Sequence, residues 1–341
     1  MGKDWIGEWF RVLEEAGEKL DLVVGQLDEA TKTVEWFRMA HRDFDGVGAI
    51  MEMIERGGGS TDLPKRRLQK VPLLERVRIF VRYSRTRPLL APALQMQKNE
   101  PNHPAGVAWI VLSPEDTARV KARCTEKKVG ETAYLVHCLH ESACELSLVT
   151  NEVPAWLVPV NLRGMVKPLD RAKGNHASFV TVSLPRAATV KDANQALMKQ
   201  LREKAHLGAW MAVRMGAVVG AKRFRKRTLK MFDNPIGWSG TFSNLGPWPG
   251  NHATLTERQR RPAFGCPPVW RKVPLSVGCV TWNGRLTFGF SVHAWLDADP
   301  EAARKLAKRF VEHALGTAPH ADTTSGFSAW SEIQKSERIE T

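Results

Sequence analysis

The chain has 341 residues, 43% of them hydrophobic and 12 of them tryptophan, and a formal net charge of +14 from 50 Lys and Arg against 36 Asp and Glu. This composition excludes a disordered chain and allows one large domain or two of ordinary size. No apolar run is long enough to span a bilayer, and residues 1–8 are charged and helical in character rather than an apolar leader, so we expect a cytoplasmic protein.

The five cysteines are odd in number and contain no C-x-x-C pair, which indicates neither a disulfide framework nor a zinc knuckle. The positive charge favours polyanionic partners: nucleic acid, an anionic membrane, a phosphorylated cofactor or an acidic carrier protein. The densest basic block is residues 222–230. A solvated basic face and an anion-binding role are both open interpretations of that block.

The first third of the chain predicts helix, strand, strand and helix in that order. Residues 3–20 have amphipathic spacing, and apolar strands are predicted near 20–24 and 34–37. The second strand leads into a polar loop that begins at His41, and residues 47–54 return to helical spacing before three glycines. Residues 57–105, rich in Arg, Lys and Pro, predict a crossover with one helix near 73–83.

The remainder predicts further alternation of strands and helices. Strands are predicted near 109–112, 153–160 and 179–184, and helices after Ser113-Pro114, near 131–146 and over 191–231. Asn283-Gly284 lies between two apolar runs, the pattern of a tight β-hairpin. A last helix is predicted from Asp299-Pro300 to Gly316, followed by an irregular tail.

The sharpest chemical motif is His41-x-x-x-Asp45-Gly46, placed between a predicted strand and a predicted helix. Three further motifs follow it in the chain: Val-Pro-Val-Asn-Leu-Arg ending at Arg163, a Gly-Asn pair at 174–175, and Phe-Ser-Asn-Leu-Gly at 242–246. In this order they resemble the H-H-x-x-x-D-G, "vPvNlR", "GN" and "SNlG" segments of the superfamily of CoA-dependent acyltransferases and peptide-synthetase condensation domains. The resemblance covers nearly the whole chain.

This resemblance implies an α/β fold of two-layer α+β sandwiches, in which two chloramphenicol-acetyltransferase-like lobes form a pseudo-dimer around a central tunnel. Residues 1–104 would be the first lobe and crossover, 105–316 the second lobe, and 317–341 the irregular tail. Acyl-CoA or a phosphopantetheine thioester on a carrier protein would be the co-substrate, with no bound cofactor, and a small hydroxyl or amine compound the acceptor.

The resemblance also assigns roles to individual residues. His41, the second histidine of the motif, would be the general base, because a neutral imidazole can take the acceptor's proton and return it to the leaving thiolate. Asp45 would be structural and paired with Arg163, and Gly46 would allow a tight entry into the helix. Ser243 and Asn244 would lie near the tunnel and contact substrate, although a Ser-Asn-x-Gly sequence is equally good turn chemistry.

Two departures from the family pattern define an alternative. Ala40 stands where the family has its first histidine, and only 40 residues precede His41, which is fewer than in family members. We therefore expect a shortened first lobe, which a partner or a second copy would complete. These departures favour a catalytically degenerate docking module as the second hypothesis. The third hypothesis is a protein that binds nucleic acid, or that contacts an anionic membrane peripherally. The leading hypothesis, an acyltransferase, includes no nucleic-acid partner.

Other candidate sites carry weaker signals. His137, His140 and Cys144 share one face of a predicted helix, but we expect hydrogen-bonded or surface side chains there and no metal. His293 is predicted to be a packed histidine. Three tryptophans are predicted to belong to the core or the tunnel wall: Trp248, Trp270 and Trp282.

Overall fold

Helices and strands alternate along the chain in the computed structural model, which describes residues 4–61, 71–85, 91–92, 102–163, 174–214, 216–234, 236–249 and 253–336. The helices are α1 Trp5–Glu15, α2 Gly46–Arg56, α3 Leu73–Arg85, α4 Pro114–Lys127, α5 Glu131–Glu145, α6 Val190–Arg202, α7 Ala205–Arg214, α8 Gly216–Val219, α9 Ala221–Asp233, α10 Ala302–Leu315 and α11 Trp330–Ser336. The strands are β1 Asp21–Asp28, β2 Thr33–Ala40, β3 Ala91–Pro92, β4 Pro104–Val111, β5 Ala155–Asn161, β6 Ala177–Ser183, β7 Ile236–Gly237, β8 Gly240–Trp248, β9 Ala263–Cys266, β10 Leu275–Trp282, β11 Arg285–His293 and β12 Thr324–Ala329.

The larger sheet has seven strands in the order β12-β4-β11-β10-β8-β5-β6. Strand β8 runs parallel to both of its neighbours, β10 and β5, and the other pairs are antiparallel. Helices α4, α5, α6 and α10 cover one face of this sheet and bury the largest apolar cluster with it, which includes Phe242, Phe288 and Phe310. The predicted α/β class is therefore confirmed.

The opposite face of the large sheet packs against a smaller sheet of order β2-β1-β9. Strand β4 shows this arrangement directly, because its side chains alternate between two cores. Ala108 and Ile110 belong to the core under the helices, whereas Val107 and Trp109 pack with residues of β1, β2 and β9. The chain segment that begins with α1 is thus joined to the second half of the chain by β9, which pairs with β1.

Several local predictions are confirmed. Ser113 caps α4 by accepting the amide of Asp116 at 3.0 Å, with Pro114 as the first helical residue. Asn283 and Gly284 both have positive φ and connect β10 to β11, as a two-residue hairpin requires. Helix α10 ends at Gly316 in the left-handed conformation.

Three predictions need correction or addition. The tail after Gly316 is not irregular, because β12 pairs with β4 along Thr324–Ala329 and α11 follows it. Strand β8, a central strand of the large sheet, was not predicted. Strand β9 was not predicted at all. The predicted crossover helix is present as α3, while most of the crossover around it lies outside the described residues.

None of the helices in the described part of the chain is long and apolar enough to cross a bilayer.

Candidate active site

The motif loop lies between β2 and α2, and its backbone is fixed at both ends. The amide of His41 donates to the Leu20 carbonyl at 3.0 Å, just before β1. The amides of Asp43 and Phe44 both donate to the Ala40 carbonyl, at 3.0 and 3.2 Å. Asp45 then caps α2 by accepting the amide of Gly48 at 2.8 Å. The loop is therefore a compact turn with one defined conformation.

The Asp45 carboxylate anchors this loop to the large sheet. It is only 2% exposed and accepts two hydrogen bonds from the Arg163 guanidinium, at 2.7 and 3.0 Å, and one from the His176 amide, at 2.9 Å. Arg163 also donates to the Gly174 carbonyl at 2.8 Å. The predicted ion pair is thus present, in the bidentate geometry that suits guanidinium and carboxylate. Both oxygens of Asp45 are thus occupied by hydrogen bonds to the protein, and a structural role for this carboxylate stays a prediction.

The His41 imidazole is held in one tautomer. Nδ1 lies 2.9 Å from the Phe44 carbonyl, which can only accept, so Nδ1 carries the proton. The Asn175 amide also lies 3.3 Å from Nδ1, but its better hydrogen bond is to the His41 carbonyl at 3.0 Å. In the neutral imidazole, Nε2 then has a free lone pair, as a general base requires.

Two effects keep His41 neutral and oriented. Burial lowers the pKa of His41 below its usual value, and the Phe44 carbonyl and the Asp45 carboxylate oppose this only in part. The Phe10 ring of α1 stacks on the imidazole, with centroids 4.1 Å apart and planes inclined by 25°. His41 is therefore a neutral, half-buried imidazole with the Phe10 ring packed on one face.

Gly46 opens α2 at a close contact with β8. Its φ is not in the left-handed region, and a Cβ built on it would lie 2.8 Å from Cδ2 of Leu245. Gly46 thus lets the start of α2 lie directly against the Leu245 side chain of β8, which would have to shift to admit a Cβ. This contact joins the His41 motif to the Ser243-Asn244-Leu245-Gly246 segment.

Ser243 and Asn244 point to opposite faces of β8. Ser243 is buried beside Gly278 of β10, on the same face as Leu245, which contacts Gly46. Asn244 faces the helical layer, where its amide donates to Glu131 and Thr132 at 3.1 and 3.2 Å. Its side-chain oxygen accepts the amide of Gly246 at 2.9 Å. The substrate contacts predicted for this pair stay predictions, and Ser243 is the member on the His41 side.

The remaining histidine candidates have hydrogen-bond partners that account for them. His137 and His140 hydrogen-bond the carbonyls of Ala188 and Pro185, at 2.9 and 3.0 Å. His293 is fully buried and contacts Asn102 and Trp295. The three tryptophans predicted for the core or tunnel wall are all buried. All five cysteines are free thiols, four of them buried.

Sequence reasoning missed two residues of the site, Phe10 and Asn175. Asn175 belongs to the Gly-Asn motif at 174–175, but the sequence indicates no role for its side chain. Phe10 was recognised only as an apolar position of the first helix. Neither contact leaves a local signal in sequence, because 134 residues separate Asn175 from His41. The presence of the Gly-Asn motif after the histidine motif, in the order that the resemblance predicts, was the sequence signal that could have indicated the Asn175–His41 contact.

No family model and no curated protein matches the chain. Its structure is similar to the epimerization domain from the third module of tyrocidine synthetase B, with a TM-score of 0.50 and 12% identity over 82% of this chain and 68% of that one. It is also similar to the EpoB cyclization-docking bidomain from Sorangium cellulosum, with a TM-score of 0.52 and 10% identity over 82% of this chain and 60% of that one. A third similar structure is the first condensation domain of the CDA synthetase, with a TM-score of 0.49 and 14% identity over 86% and 66%.

The chain therefore has a fold similar to that of the epimerization domain and of the cyclization-docking bidomain. The chain spans 60–68% of the length of these three structures. The central tunnel, the shortening of the first lobe and the boundary between 1–104 and 105–316 stay predictions.

Proposed function

We propose that this protein transfers an acyl group from a CoA or carrier-protein thioester to a hydroxyl or amine acceptor, with His41 as the general base. The observation that carries the proposal is the 2.9 Å distance between His41 Nδ1 and the Phe44 carbonyl oxygen. Because that oxygen can only accept, the proton belongs on Nδ1 and the lone pair of Nε2 is available. The lowered pKa of His41 keeps that lone pair unprotonated near neutral pH. The condensation-type fold is consistent with this chemistry.

The proposed reaction has two proton transfers through Nε2. As the acceptor oxygen or nitrogen attacks the thioester carbonyl, Nε2 takes its proton and a tetrahedral intermediate forms. The carbon–sulfur bond then breaks, and the imidazolium returns the proton to the departing thiolate. The products are an ester or amide and a free thiol. Asp45 and Arg163 take no proton in this scheme, because each is held by the other.

The test is a panel of acyl-CoA and acyl-carrier thioesters with mixed acceptors, read by the release of free thiol and by intact mass of the product. His41→Ala should reduce acceptor-dependent thiol release by about a hundredfold or more, the usual scale for loss of a general base. His320→Ala is the matched control, since His320 is exposed and remote in sequence from the motif. Turnover by His41→Ala at the wild-type rate would contradict the proposal.

The second candidate is a degenerate module that binds a thioester partner without turnover. Ala40 in the motif and the Phe10 ring over His41 favour it, because the ring covers one face of the imidazole. This candidate predicts that donor binding, measured by calorimetry, is retained in both wild type and His41→Ala while neither releases thiol.

A further inference from the structure

Helix α3 presents an apolar surface to solvent. Leu73 and Leu74 are 76% and 75% exposed, and Val77 and Val81 are 53% and 38% exposed. At about 100° per residue these four side chains occupy about 100° of the helix circumference. We call these four residues the α3 stripe. Half of the eight large hydrophobic residues that are exposed in the described part of the chain belong to it.

Within the part of the chain that the structure describes, the α3 stripe does not contribute to the packing of α3 on the protein. The helix contacts α7 through its other side, where Ile79 is buried with Leu207. Tyr83 lies against Gly208, where an added Cβ would come within 2.5 Å of the tyrosine side chain. Burial of apolar surface stabilises the fold, so four exposed aliphatic side chains on the far side of a helix indicate an external contact.

The charge around the α3 stripe is positive. Exposed arginines border it, with Arg78, Arg82 and Arg85 along one edge, which we call the α3 arginines. Arg76 lies on the other edge. The one acidic residue of α3, Glu75, forms an ion pair with Lys204 and is thereby compensated. The exposed side of α3 is therefore apolar at its centre and cationic at its edges.

We propose that α3 docks this protein peripherally on an anionic lipid bilayer. The α3 stripe would lie among the acyl chains near the headgroups, and the α3 arginines would contact lipid phosphates. An apolar face with basic edges is the arrangement by which helices lie in the plane of a membrane interface. The charge complementarity selects an anionic leaflet. Nucleic acid would use the arginines but would leave the exposed leucines without a partner. This proposal does not depend on the acyl-transfer reaction.

The experiment is cosedimentation of the full chain with vesicles of phosphatidylcholine alone and with about one third phosphatidylserine. Wild type should bind the anionic vesicles and bind the neutral ones much more weakly. The variant Leu73→Gln, Leu74→Gln, Val77→Gln should lose binding to anionic vesicles by about tenfold or more, because the buried aliphatic surface supplies much of the affinity. The variant Arg78→Gln, Arg82→Gln, Arg85→Gln should lose binding to anionic vesicles and remove its salt dependence.

Met198→Gln is the matched control, since Met198 is an exposed apolar residue on α6, outside α3, and its replacement should leave binding unchanged. Unaltered circular dichroism of each variant excludes unfolding, since all the substituted positions are exposed. If the leucine and valine variant bound anionic vesicles as wild type does, the membrane proposal would be wrong. Binding of a DNA duplex that only the arginine variant loses, with no binding of anionic vesicles by wild type, would also overturn it, in favour of a nucleic-acid surface.

Discussion

His41 is positioned by contacts from three separate parts of the chain. Phe44 fixes the Nδ1 proton from within the same loop, Asn175 holds the backbone carbonyl from the second half of the chain, and Phe10 packs on the ring from α1. Ala40 stands where the resemblance predicts a first histidine, and its backbone carbonyl closes the turn as that of any residue would. The geometry needed for a general base is thus supported without that histidine.

The acid limb of the pH–rate profile tests the protonation state of His41. Burial lowers the pKa of this imidazole, and the general base must be unprotonated. We therefore expect acyl transfer to be independent of pH around neutrality and to decline only as the pH falls below about 6.5, the usual value for histidine. Thiol release measured from pH 5 to 8 checks this, and an inflection above the usual histidine value would contradict it.

Acid unfolding must be separated from this effect. Burial lowers the pKa of His206 and of His293 to about 4, so both are neutral in the folded protein. When folding lowers the pKa of a histidine, the unfolded chain binds a proton before the folded protein does as the pH falls. The free energy of unfolding is therefore undiminished above the unfolded pKa, and it decreases as the pH falls from there towards the folded pKa. Thermal unfolding followed over the same buffers therefore shows whether any loss of rate precedes loss of structure.

The Asp45–Arg163 pair predicts a non-additive mutant cycle. Asp45→Asn and Arg163→Met should each lower the free energy of unfolding by about 3–5 kcal/mol, because each leaves a buried partner charge uncompensated. The double variant should lose less than the sum, since the second change removes a charge that is already unpaired. Denaturant unfolding of all four proteins measures the coupling.

Activity distinguishes this pair from the base. Both single variants of the pair should lose activity and stability together, whereas His41→Ala should lose activity with a nearly unchanged melting temperature. Asp45 also caps α2 and accepts the His176 amide, so its replacement should be the more harmful of the two. Strictly additive losses in the cycle would show that the ion pair does not couple the loop to the sheet.

Helix α9 is an amphipathic element with a strongly basic outer face. Phe224, Thr228 and Phe232 are buried, while the basic residues of 222–230 are all exposed. Arg225 is the member of this block that forms an ion pair with Glu15 of α1. The solvated-face interpretation and a docking role for the donor both fit this exposure, and only a functional measurement can separate them.

Charge reversal on α9 tests the docking role under the proposed function. Arg223→Glu, Lys226→Glu and Arg227→Glu together should raise the KM for a carrier-protein or CoA donor by about tenfold, with the acceptor KM unchanged, since clustered cations bind phosphate and carboxylate. Arg225 is left in place to preserve its ion pair. Equal effects on both KM values, or none, would support the solvated face.

The control for this reversal lies on α10. Lys308→Glu reverses an exposed cation on a different helix and leaves the Arg304–Glu301 ion pair intact, and the donor KM should stay at the wild-type value if the α9 effect is local. A rise produced equally by the α10 variant would indicate a general effect of net charge.

The two sheets meet through glycines, which determine how closely they approach. A Cβ built on Gly278 of β10 would lie 1.9 Å from the carbonyl oxygen of Gly265 in β9. A Cβ on Gly289 of β11 would lie 2.7 Å from the same oxygen. Backbone atoms cannot move aside as a flexible side chain can, so side chains at these positions would push the sheets apart.

Gly278→Ala should therefore destabilise the whole molecule. We expect a loss of about 1–3 kcal/mol in the free energy of unfolding, the usual cost of overpacking, with reduced activity because β9 pairs with the strand that leads to the His41 hairpin. Gly265→Ala is the matched control at the same interface, since its Cβ would meet nothing nearer than 4.0 Å. Chemical denaturation of both variants checks the prediction, which requires the Gly278 variant to be clearly the less stable.

Sequence patterns of a few residues were sufficient to predict several helix starts and turns of this structure. Ser113-Pro114 starts α4 and Asn283-Gly284 turns the β10–β11 hairpin, because caps and tight turns are decided by local backbone preferences. The Asp45–Arg163 pair was implied by the resemblance of the two motifs to those of a known superfamily. The predicted class of fold and this contact therefore depended on the sequence together with that resemblance.

Long-range pairing was decided only by the tertiary structure. The tail residues 324–329 have no strong apolar pattern, yet they form β12, because Gly326 accommodates the Trp109 ring and Gly106 of β4 accommodates Phe327. Long-range packing also decides three other features: the strand character of β9, the stacking of Phe10 on His41 and the exposure of the α3 stripe. Each depends on which distant surface packs against a segment, and local propensity contains no information about that choice.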